Sequence, residues 1–574
     1  MAQLLLEYPP MGAMEKSASE FYRNMGIRLK AASLCLAFLL ATSGFAQTGF
    51  APIHSEAAYQ GNRLSLQNGG DTEFHPEVRN FLRSDLFKIG YNTGYTNPID
   101  SNFLVYLLNE NSEWESEPNP SRKPVLKHFF KTPANLFEVR TKDFQLLVNP
   151  MLHLGYGSDS GKPLFVNERG LSIRGCIDNK VYFHTSLLET QIQPPAYAAD
   201  WISEKKAIPG AGFYKVYRSK VLDLDRAYDY NVANAALGAQ ITPHIGVEIG
   251  HGQHFIGNGH RSLFLSDFGS YYFYLKFNTR IWKLQYQNLF MELSPVSQAV
   301  VGNNDLLPKK YAAVHYLHYN ITPRLGVGFF EATVFNRSRQ FELQYLNPII
   351  LYRSVEGLIG SPDNVLVGVD FRWDIARKVR LYSQLLLDEF RLSDLYKPEQ
   401  TGWWGNKYGI QAGVHYINAF NINQLDLRAE YNLMRPYTYS HFDSLNSYQH
   451  YNQALAHPLG ANFKELFLEA RKQILPQWSA RVHYLHIQQG LNSPDANWGA
   501  NPTLPYTSRI QEYGNVIGQG ISNQVQLLGM QLSYSPAHNA YIDLRFQWRK
   551  QESDSGSFIQ LGLRYNVWPQ NFDF

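Results

Sequence analysis

The chain has 574 residues, enough for one large domain or two smaller ones, and its formal net charge is only +3. This balance excludes a nucleic-acid binder that depends on a strongly basic surface. The mean hydropathy is −0.32, and the sequence lacks an apolar run of about 18 residues, so membrane-spanning helices are excluded. A transmembrane β-barrel fits this composition, because only every second residue of its strands faces lipid.

The N-terminus has the pattern of a secretion signal. Basic residues precede the apolar stretch 31–41, and Gly44 and Ala46 are small residues at the positions that a signal peptidase reads. We therefore predict a signal peptide over residues 1–46. A start at Met25 gives this signal an ordinary length.

Residues 47–143 lack the alternation of barrel strands. Within them, the apolar residues of the stretch 76–90 recur near helical spacing, and Gly90 is a plausible helix stop. The sequence predicts a partly helical periplasmic extension or a plug for the barrel. A short disordered lead-in is the alternative.

The clearest β-hairpin lies between residues 271 and 293. Its first half alternates apolar residues such as Phe273 and Leu275 with more polar ones such as Lys276, as a strand with two different faces requires. We predict its tight turn at Asn278–Arg280. A glycine- and histidine-rich loop precedes the hairpin.

Short turns and long connections alternate along the rest of the chain. Counting from Phe144, eight short turns and nine loops give eighteen strands, and both ends of the barrel fall on the periplasmic side. We expect short turns near residues 178–180, 242–244, 278–280, 322–324, 374–378, 418–423, 475–477 and 535–539, and long extracellular loops that include 191–229, 251–269, 291–310, 335–362, 434–460 and 489–520. The predicted fold is all-β: a transmembrane antiparallel β-barrel over residues 144–574, with an N-terminal periplasmic, partly helical extension.

The last strands indicate which residues face lipid. Ile542, Leu544 and Phe546 alternate with polar residues, and the final strand repeats the pattern at Ile559, Leu561 and Leu563. The chain ends on an aromatic residue, Phe574, as expected of a barrel whose end is recognised by the barrel-assembly machinery during biogenesis.

The loop from His251 to Gly269 holds the first set of candidate functional residues. Its glycines permit backbone conformations that a Cβ would forbid, so the loop can fold over the lumen. The candidates for contacting a glycan or gating the lumen are His251, His254, Asn258, His260, Arg261 and Asp267.

The same loop gives weaker indications of chemistry. Its histidines and Asp267 have spacings that a metal ion could use, but hydrogen-bonded packing in the barrel mouth is the more frequent role of such residues. Ser262 and Ser266 lie near histidines, yet neither is placed in a nucleophile elbow. We predict no metal, no cofactor and no enzymatic activity.

A second set of candidates is aromatic and lies in one predicted external loop. Aromatic faces can stack on sugar rings, which suits a polysaccharide ligand. The alternatives are an interfacial aromatic girdle or packing of one loop on another at the barrel mouth. The candidate external contacts are Tyr437, Tyr439, His441, Tyr448 and Tyr451.

Several segments resemble a known family. They include RGLSIRGCIDNKVYFHTSLLETQ (169–191), GVEIGHGQHFIGNGHRSLFLSD (246–267), FNTRIWKLQYQNLF (277–290), YLNPIILYRSVEGLIGSPDN (345–364) and HPLGANFKE (457–465). The chain resembles the Wzi-type capsule-assembly barrels, and among them the RemB gliding-motility proteins of Bacteroidota. The resemblance implies an 18-stranded outer-membrane barrel with a periplasmic helical region. It also implies that the protein helps to hold polysaccharide on the cell surface.

The predicted function follows from the strand pattern and this resemblance. We expect a non-enzymatic outer-membrane barrel that binds or organises capsular or exopolysaccharide, in cell-surface adhesion or gliding motility. Its partners are then outer-membrane lipid, surface polysaccharide and motility or adhesin proteins, with no nucleic acid. A diffusion porin or solute channel is the alternative. The mixed charges predicted for the lumen, such as Asp370 with Arg372, do not favour an ion-selective pore.

Overall fold

A computed structural model provides the structure of this chain. It describes residues 49–93, 98–115, 120–121, 128–297, 306–337, 340–360, 362–392, 401–568 and 572–574. The predicted signal peptide, residues 1–46, lies outside the described residues.

Eighteen strands form the wall of the molecule, and we number them β1 to β18. They are β1 Phe144–Asp159, β2 Lys162–Ile177, β3 Val181–Gln193, β4 Ala227–Thr242, β5 Ile245–Gly252, β6 Tyr272–Ile281, β7 Leu284–Leu293, β8 Lys310–Thr322, β9 Leu325–Phe335, β10 Asn364–Ile375, β11 Val379–Glu389, β12 Lys407–Tyr416, β13 Leu425–Met434, β14 Phe463–Leu475, β15 Trp478–Leu491, β16 Ile521–Ala537, β17 Ala540–Gln551 and β18 Asp554–Tyr565. Each strand pairs antiparallel with the next.

The sheet closes on itself between its first and last strands. The β1–β18 seam runs from Leu152 opposite Tyr565 to Asp159 opposite Phe558. This closure removes the unpaired edges that an open sheet would expose. The predicted 18-stranded antiparallel barrel is therefore confirmed.

Among the described residues, two short strands add to the barrel wall and two others form a separate hairpin. Phe137–Arg140 pairs with β1, and Lys215–Tyr217 pairs with β4. Gln449–His450 and Gln453–Ala454 form a small hairpin of their own within the loop between β13 and β14.

The eight predicted short turns connect strands at the same end of the barrel, but the position of one of them in the sequence is corrected. The predicted turn at Asn278–Arg280 is wrong, because these residues still pair in the hairpin, with Asn278 opposite Gln287. The chain reverses between Ile281 and Leu284, and Trp282 takes the left-handed conformation that the turn requires, with φ of 54°.

The outer surface carries the apolar residues that the alternation predicted. Leu561 and Leu563 on β18 are more than half exposed, and Leu544 on β17 is also exposed, whereas the neighbouring Asp543 is buried towards the interior. The outward face also carries some polar residues, such as the exposed Arg169–Glu189 ion pair on β2 and β3. The wall thus has an apolar outward band, as transmembrane barrels do.

Three helices precede the barrel in the described part of the chain: α1 Glu56–Gln67, α2 Arg83–Asn92 and α3 Pro98–Glu110. They share a small core that includes Leu86 and Leu107, and α1 approaches α2 so closely that a Cβ on Gly61 would lie 2.2 Å from Leu86. The helix predicted over residues 76–90 is corrected in part. Residues 76–82 precede α2 and are drawn into contacts with a barrel loop, described below, that a helix could not make.

This N-terminal segment lies at the short-turn end, against residues that face the lumen. Arg63 pairs with Asp426 on β13 at 2.9 Å, and the Tyr106 hydroxyl donates to Asn539 at 2.6 Å. Within the described residues, no helix has both the length and the apolar character needed to cross a membrane.

The structure describes further helical elements, one just before the barrel and the others between its strands. They are α4 Ala196–Lys205, α5 Tyr352–Leu358 and the short 3-10 turns Ser112–Trp114, Leu343–Leu346, Ala419–Asn421, Ser444–Asn446 and Tyr506–Ser508. All except Ser112–Trp114 and Ala419–Asn421 belong to connections at the long-loop end.

Candidate functional site

The loop between β5 and β6, residues 253–271, turns into the barrel and meets the N-terminal segment there. We call it the inward loop. Val78 and Ile256 form an antiparallel bridge. The Gly257 amide donates to the Glu77 carbonyl at 2.7 Å, and the Arg79 amide donates to the Phe255 carbonyl at 3.2 Å. These backbone bonds need an extended segment at 77–79, which explains why residues 76–82 are not helical.

Arg261 ties this loop to the barrel wall and to the C-terminal residues. Its guanidinium is buried and lies 3.2 Å from Glu465 on β14 and 3.1 Å from Asp573. The His260 ring lies 2.8 Å from the same Asp573 carboxylate and stacks on Phe467. Although burial opposes ionisation, Arg261 and His260 hold the pKa of Asp573 well below its usual range.

The structure brings five of the six loop candidates into the interior. Besides His260 and Arg261, His254 packs beside the Tyr272 hydroxyl, Asn258 donates to Glu77 at 3.2 Å, and Asp267 pairs with His54. His251 is separate. It lies at the long-loop rim and is exposed, and among the described residues its ring forms one hydrogen bond, in which Nδ1 donates to the Ala233 carbonyl at 2.7 Å.

One cluster in the described residues has the donor set of a metal site. His75, Glu77 and His318 are buried, and a ligand atom from each lies within 4.8 Å of the others. However, the two Nδ1 atoms are 2.6 Å apart, a hydrogen-bond distance, whereas two ligands of one tetrahedral zinc are separated by about 3.3 Å. Glu77 also receives the Arg372 guanidinium at 2.7 Å. The cluster is a buried network of polar contacts in which Arg372 supplies the counter-charge of Glu77.

Most of the aromatic candidates are packed between loops. Tyr437, Tyr439 and Tyr448 are at most 1% exposed, and His441 is also buried. The hydroxyls of Tyr439 and Tyr448 donate to the Leu263 and Phe264 carbonyls at 2.7 and 2.8 Å. These rings therefore hold the loop before β14 against the inward loop, and their faces do not meet solvent.

Tyr451 is the exception, because it lines a groove at the long-loop rim. The groove has a volume of about 370 Å³, and His251, Tyr271 and Phe213 contribute further rings while Asn231 contributes an amide. The His251 and Tyr271 rings are stacked, with centroids 6.1 Å apart. Aromatic faces beside a few polar groups are the usual lining of a small-molecule site.

The position of Tyr451 is fixed before any ligand arrives. Its ring stacks on the buried His450 with centroids 3.9 Å apart, and its amide donates to the Ser294 carbonyl at 2.8 Å. The Gly212 backbone packs so closely against the Tyr451 ring that a Cβ on Gly212 would lie 2.7 Å from it. Such pre-organisation reduces the entropy that binding must overcome.

The two loop serines are not arranged for nucleophilic catalysis. The Ser262 hydroxyl donates to the Ile256 carbonyl at 2.5 Å, and the Ser266 hydroxyl donates to the Ala456 carbonyl. Both act as structural donors, since a nucleophile would need a base as its hydrogen-bond partner.

Sequence reasoning missed several residues that complete these sites. Asp573 is the counter-charge of Arg261, and Tyr271 and Asn231 help to line the groove. The break in alternation after β18 is the only signal that the chain leaves the wall near its C-terminus. The last strand ends at Tyr565, so Phe574 is not part of it. The Phe574 ring is buried against Trp201 and Phe268.

Comparison with known proteins gives a similarity of fold. No protein-family model matches the chain, nor does any curated protein sequence. Among solved structures, it is similar to Wzi, an outer-membrane protein involved in group 1 capsule assembly in Escherichia coli and described as a carbohydrate-binding β-barrel. The match has a TM-score of 0.55 and 10% identity, and it covers 91% of this chain and 100% of Wzi.

Two porins of Pseudomonas aeruginosa match less well. OprD gives a TM-score of 0.41 at 10% identity over 73% of this chain and 94% of its own. OpdK, solved with vanillate, gives 0.41 at 8% identity over 73% and 97%. None of the three bears on the narrower resemblance to RemB and Bacteroidota, which stays a prediction.

Proposed function

We propose that this protein is a non-enzymatic outer-membrane β-barrel that binds surface polysaccharide at its long-loop rim. The observation that carries the proposal is the groove around Tyr451, where fixed aromatic rings lie beside Asn231 and His251. Sugar rings offer apolar C–H faces to aromatic side chains and hydroxyls to amide and imidazole groups. The fold similarity to Wzi, a carbohydrate-binding barrel, supports the same assignment.

The proposal includes an orientation. The long loops face the cell exterior, and the N-terminal helices face the periplasm, as short-turn ends do in bacterial barrels. The groove then lies above the apolar band, where a polysaccharide would reach it from water. Adhesion or gliding would follow from the glycan that is held, and partners in either process stay predictions.

The contents of the interior favour this function over a diffusion porin. The N-terminal segment, the inward loop and the C-terminal residues meet inside the barrel, and Arg79, Arg261 and Asp573 join them. A porin of similar strand number has a water-filled channel. We therefore expect the purified protein to give little conductance in a planar bilayer.

The test pairs glycan binding with conductance. Tyr451→Ala should weaken binding of purified surface polysaccharide by roughly 5- to 10-fold, the loss of one stacked ring. Tyr513→Ala is the matched control, because Tyr513 is an exposed tyrosine in a different long loop. A large open-channel current from the unaltered protein, together with unchanged polysaccharide binding in Tyr451→Ala, would favour the porin alternative.

A further inference from the structure

A cavity of about 290 Å³ inside the barrel is lined by an excess of arginine side chains. It lies between the N-terminal segment, the inward loop and the strands β13 to β18. Seven arginines line it, but only four carboxylates do. Its size is near the lower limit of small-molecule pockets.

The four carboxylates that line the cavity are already engaged. Arg471 pairs with Glu56, Arg481 pairs with Glu469, and Arg261 pairs with Asp573, while His54 pairs with Asp267. Arg564 has a carboxylate partner just beyond the lining, Asp543. These pairs account for four of the seven guanidinium groups.

The other three arginines have no carboxylate partner among the described residues. Arg79 donates to the carbonyls of Asn258 and Gly259, and its Nε has no acceptor. The side chains of Arg428 on β13 and Arg545 on β17 make no hydrogen bond or ion pair with the described residues, and the Arg428 Nε is buried without an acceptor. Burial and the neighbouring Arg428 cation lower the pKa of Arg79 to about 10.

Arg79, Arg428 and Arg545 are half-buried, and guanidinium groups that are partly withdrawn from water without a counter-charge are stabilised when an anion joins them. Their planar fork of N–H donors matches carboxylate and phosphate oxygens. We propose that this cavity binds a small oxyanion, either a carboxylate such as that of an acidic sugar or a phosphate group, through Arg79, Arg428 and Arg545. This site is inside the barrel and is distinct from the rim groove.

The proposal is tested by calorimetric titration of the purified full chain in detergent. The probes are inorganic phosphate, galacturonate and neutral galactose. Phosphate or galacturonate should bind, and whichever binds more tightly identifies the oxyanion, whereas galactose should not bind. The affinity should fall with added salt, as charge–charge recognition does.

Variants locate the binding. Arg428→Gln and Arg545→Gln should each weaken anion binding by about ten-fold or more. Arg218→Gln, which removes an equal charge from an exposed loop position, should leave it unchanged. Tyr451→Ala should also leave it unchanged, so failure of this proposal is distinguishable from failure of the proposed function.

Folding of each variant is checked by the heat-dependent gel mobility of intact barrels. If one of the two glutamine variants does not fold, the other provides the test. Arg545→Lys retains the positive charge but lacks the planar fork of guanidinium N–H donors. Lack of binding by both anions would overturn the proposal. Equal binding of galactose, or an equal loss in Arg218→Gln, would do the same.

Discussion

Leu561 and Ser555 lie on the same outward face of β18, but at different heights on the barrel. Leu561 is 57% exposed within the apolar band, whereas Ser555 is exposed close to the tight turn at the long-loop end. Leu561→Arg should reduce the free energy of unfolding by roughly 2–4 kcal/mol, because a cation near the bilayer midplane is poorly solvated.

Ser555→Arg is the control, with an expected change near zero. Reversible urea unfolding in lipid vesicles measures both variants. Equal losses would show that the apolar band is misplaced.

For single residues, the sequence predicts which side chains face lipid or the lumen, but it does not predict which side chains contact each other. Alternation alone predicted that Leu544 faces outward, since a strand has only two sides. It could not predict that Arg261 meets Asp573, because 312 positions separate them in the chain and only the closed barrel brings them together. The same holds for the groove, whose rings come from four separate stretches of sequence.

Arg261 links the inward loop to the wall and to the C-terminal residues through buried ion pairs. Arg261→Ala would leave Glu465 and Asp573 without their guanidinium partner, which costs about 3–5 kcal/mol for a buried pair. We expect the loop to loosen and the barrel to conduct ions and admit large antibiotics, while polysaccharide stays attached to the cell.

Arg324→Ala, on an exposed short turn, is the matched control for that experiment. Planar-bilayer conductance and antibiotic sensitivity are the measurements. An Arg261→Ala protein that is produced normally and stays non-conducting would mean that the loop does not close the lumen.

The loop between β13 and β14 contains three buried histidines, His441, His450 and His457, and should respond to acid. Burial lowers the pKa of His450 to about 3 and that of His441 to about 4, from 6.5. Because these folded-state values are depressed, the stabilising contribution is complete above pH 6.5 and is lost as the pH falls towards them. At pH 5 each of these two histidines should cost about 2 kcal/mol.

Hydrogen exchange of residues 435–462 at pH 7.5 and pH 5 measures this effect. His441→Gln and His450→Gln should flatten the pH dependence, and His244→Gln, on an exposed short turn, should not alter it. The measured rates are divided into the intrinsic exchange rate at each pH, and protection factors that are equal at pH 7.5 and pH 5 in the unaltered protein would contradict the prediction.

Element boundaries were harder to predict than element types. Asn278, Thr279 and Arg280 have the composition of a turn, yet they continue β6, since cross-strand pairing and not local propensity decides where a hairpin reverses. Likewise, residues 76–82 have helical spacing but form bonds to a loop from the opposite end of the barrel. Tertiary contacts prevailed over local preference in both places.

The orientation of the whole barrel gives a further prediction. Val221 is 90% exposed in the long connection between β3 and β4, and Asn179 is exposed in the short turn between β2 and β3. An epitope inserted at Val221 should be labelled on intact cells. One inserted at Asn179 should be labelled only after the outer membrane is permeabilised.

Antibody labelling of cells before and after permeabilisation measures both insertions. Labelling of the Asn179 epitope alone on intact cells would reverse the proposed orientation. It would also place the groove on the periplasmic side, where surface polysaccharide could not reach it from outside.

Part of the groove is built on strands of the wall, although most of its lining, including Tyr451, comes from loops. Asn231 belongs to β4 and His251 to β5, and β4 pairs with β3 without interruption from Val181 opposite Ala239 to Ile192 opposite Tyr228. Tension on a held polysaccharide, directed away from the cell, would therefore run partly along these strands. Pulling these strands out of the sheet would require many interstrand hydrogen bonds to break at once. The polysaccharide would therefore detach from the groove before the barrel unfolds.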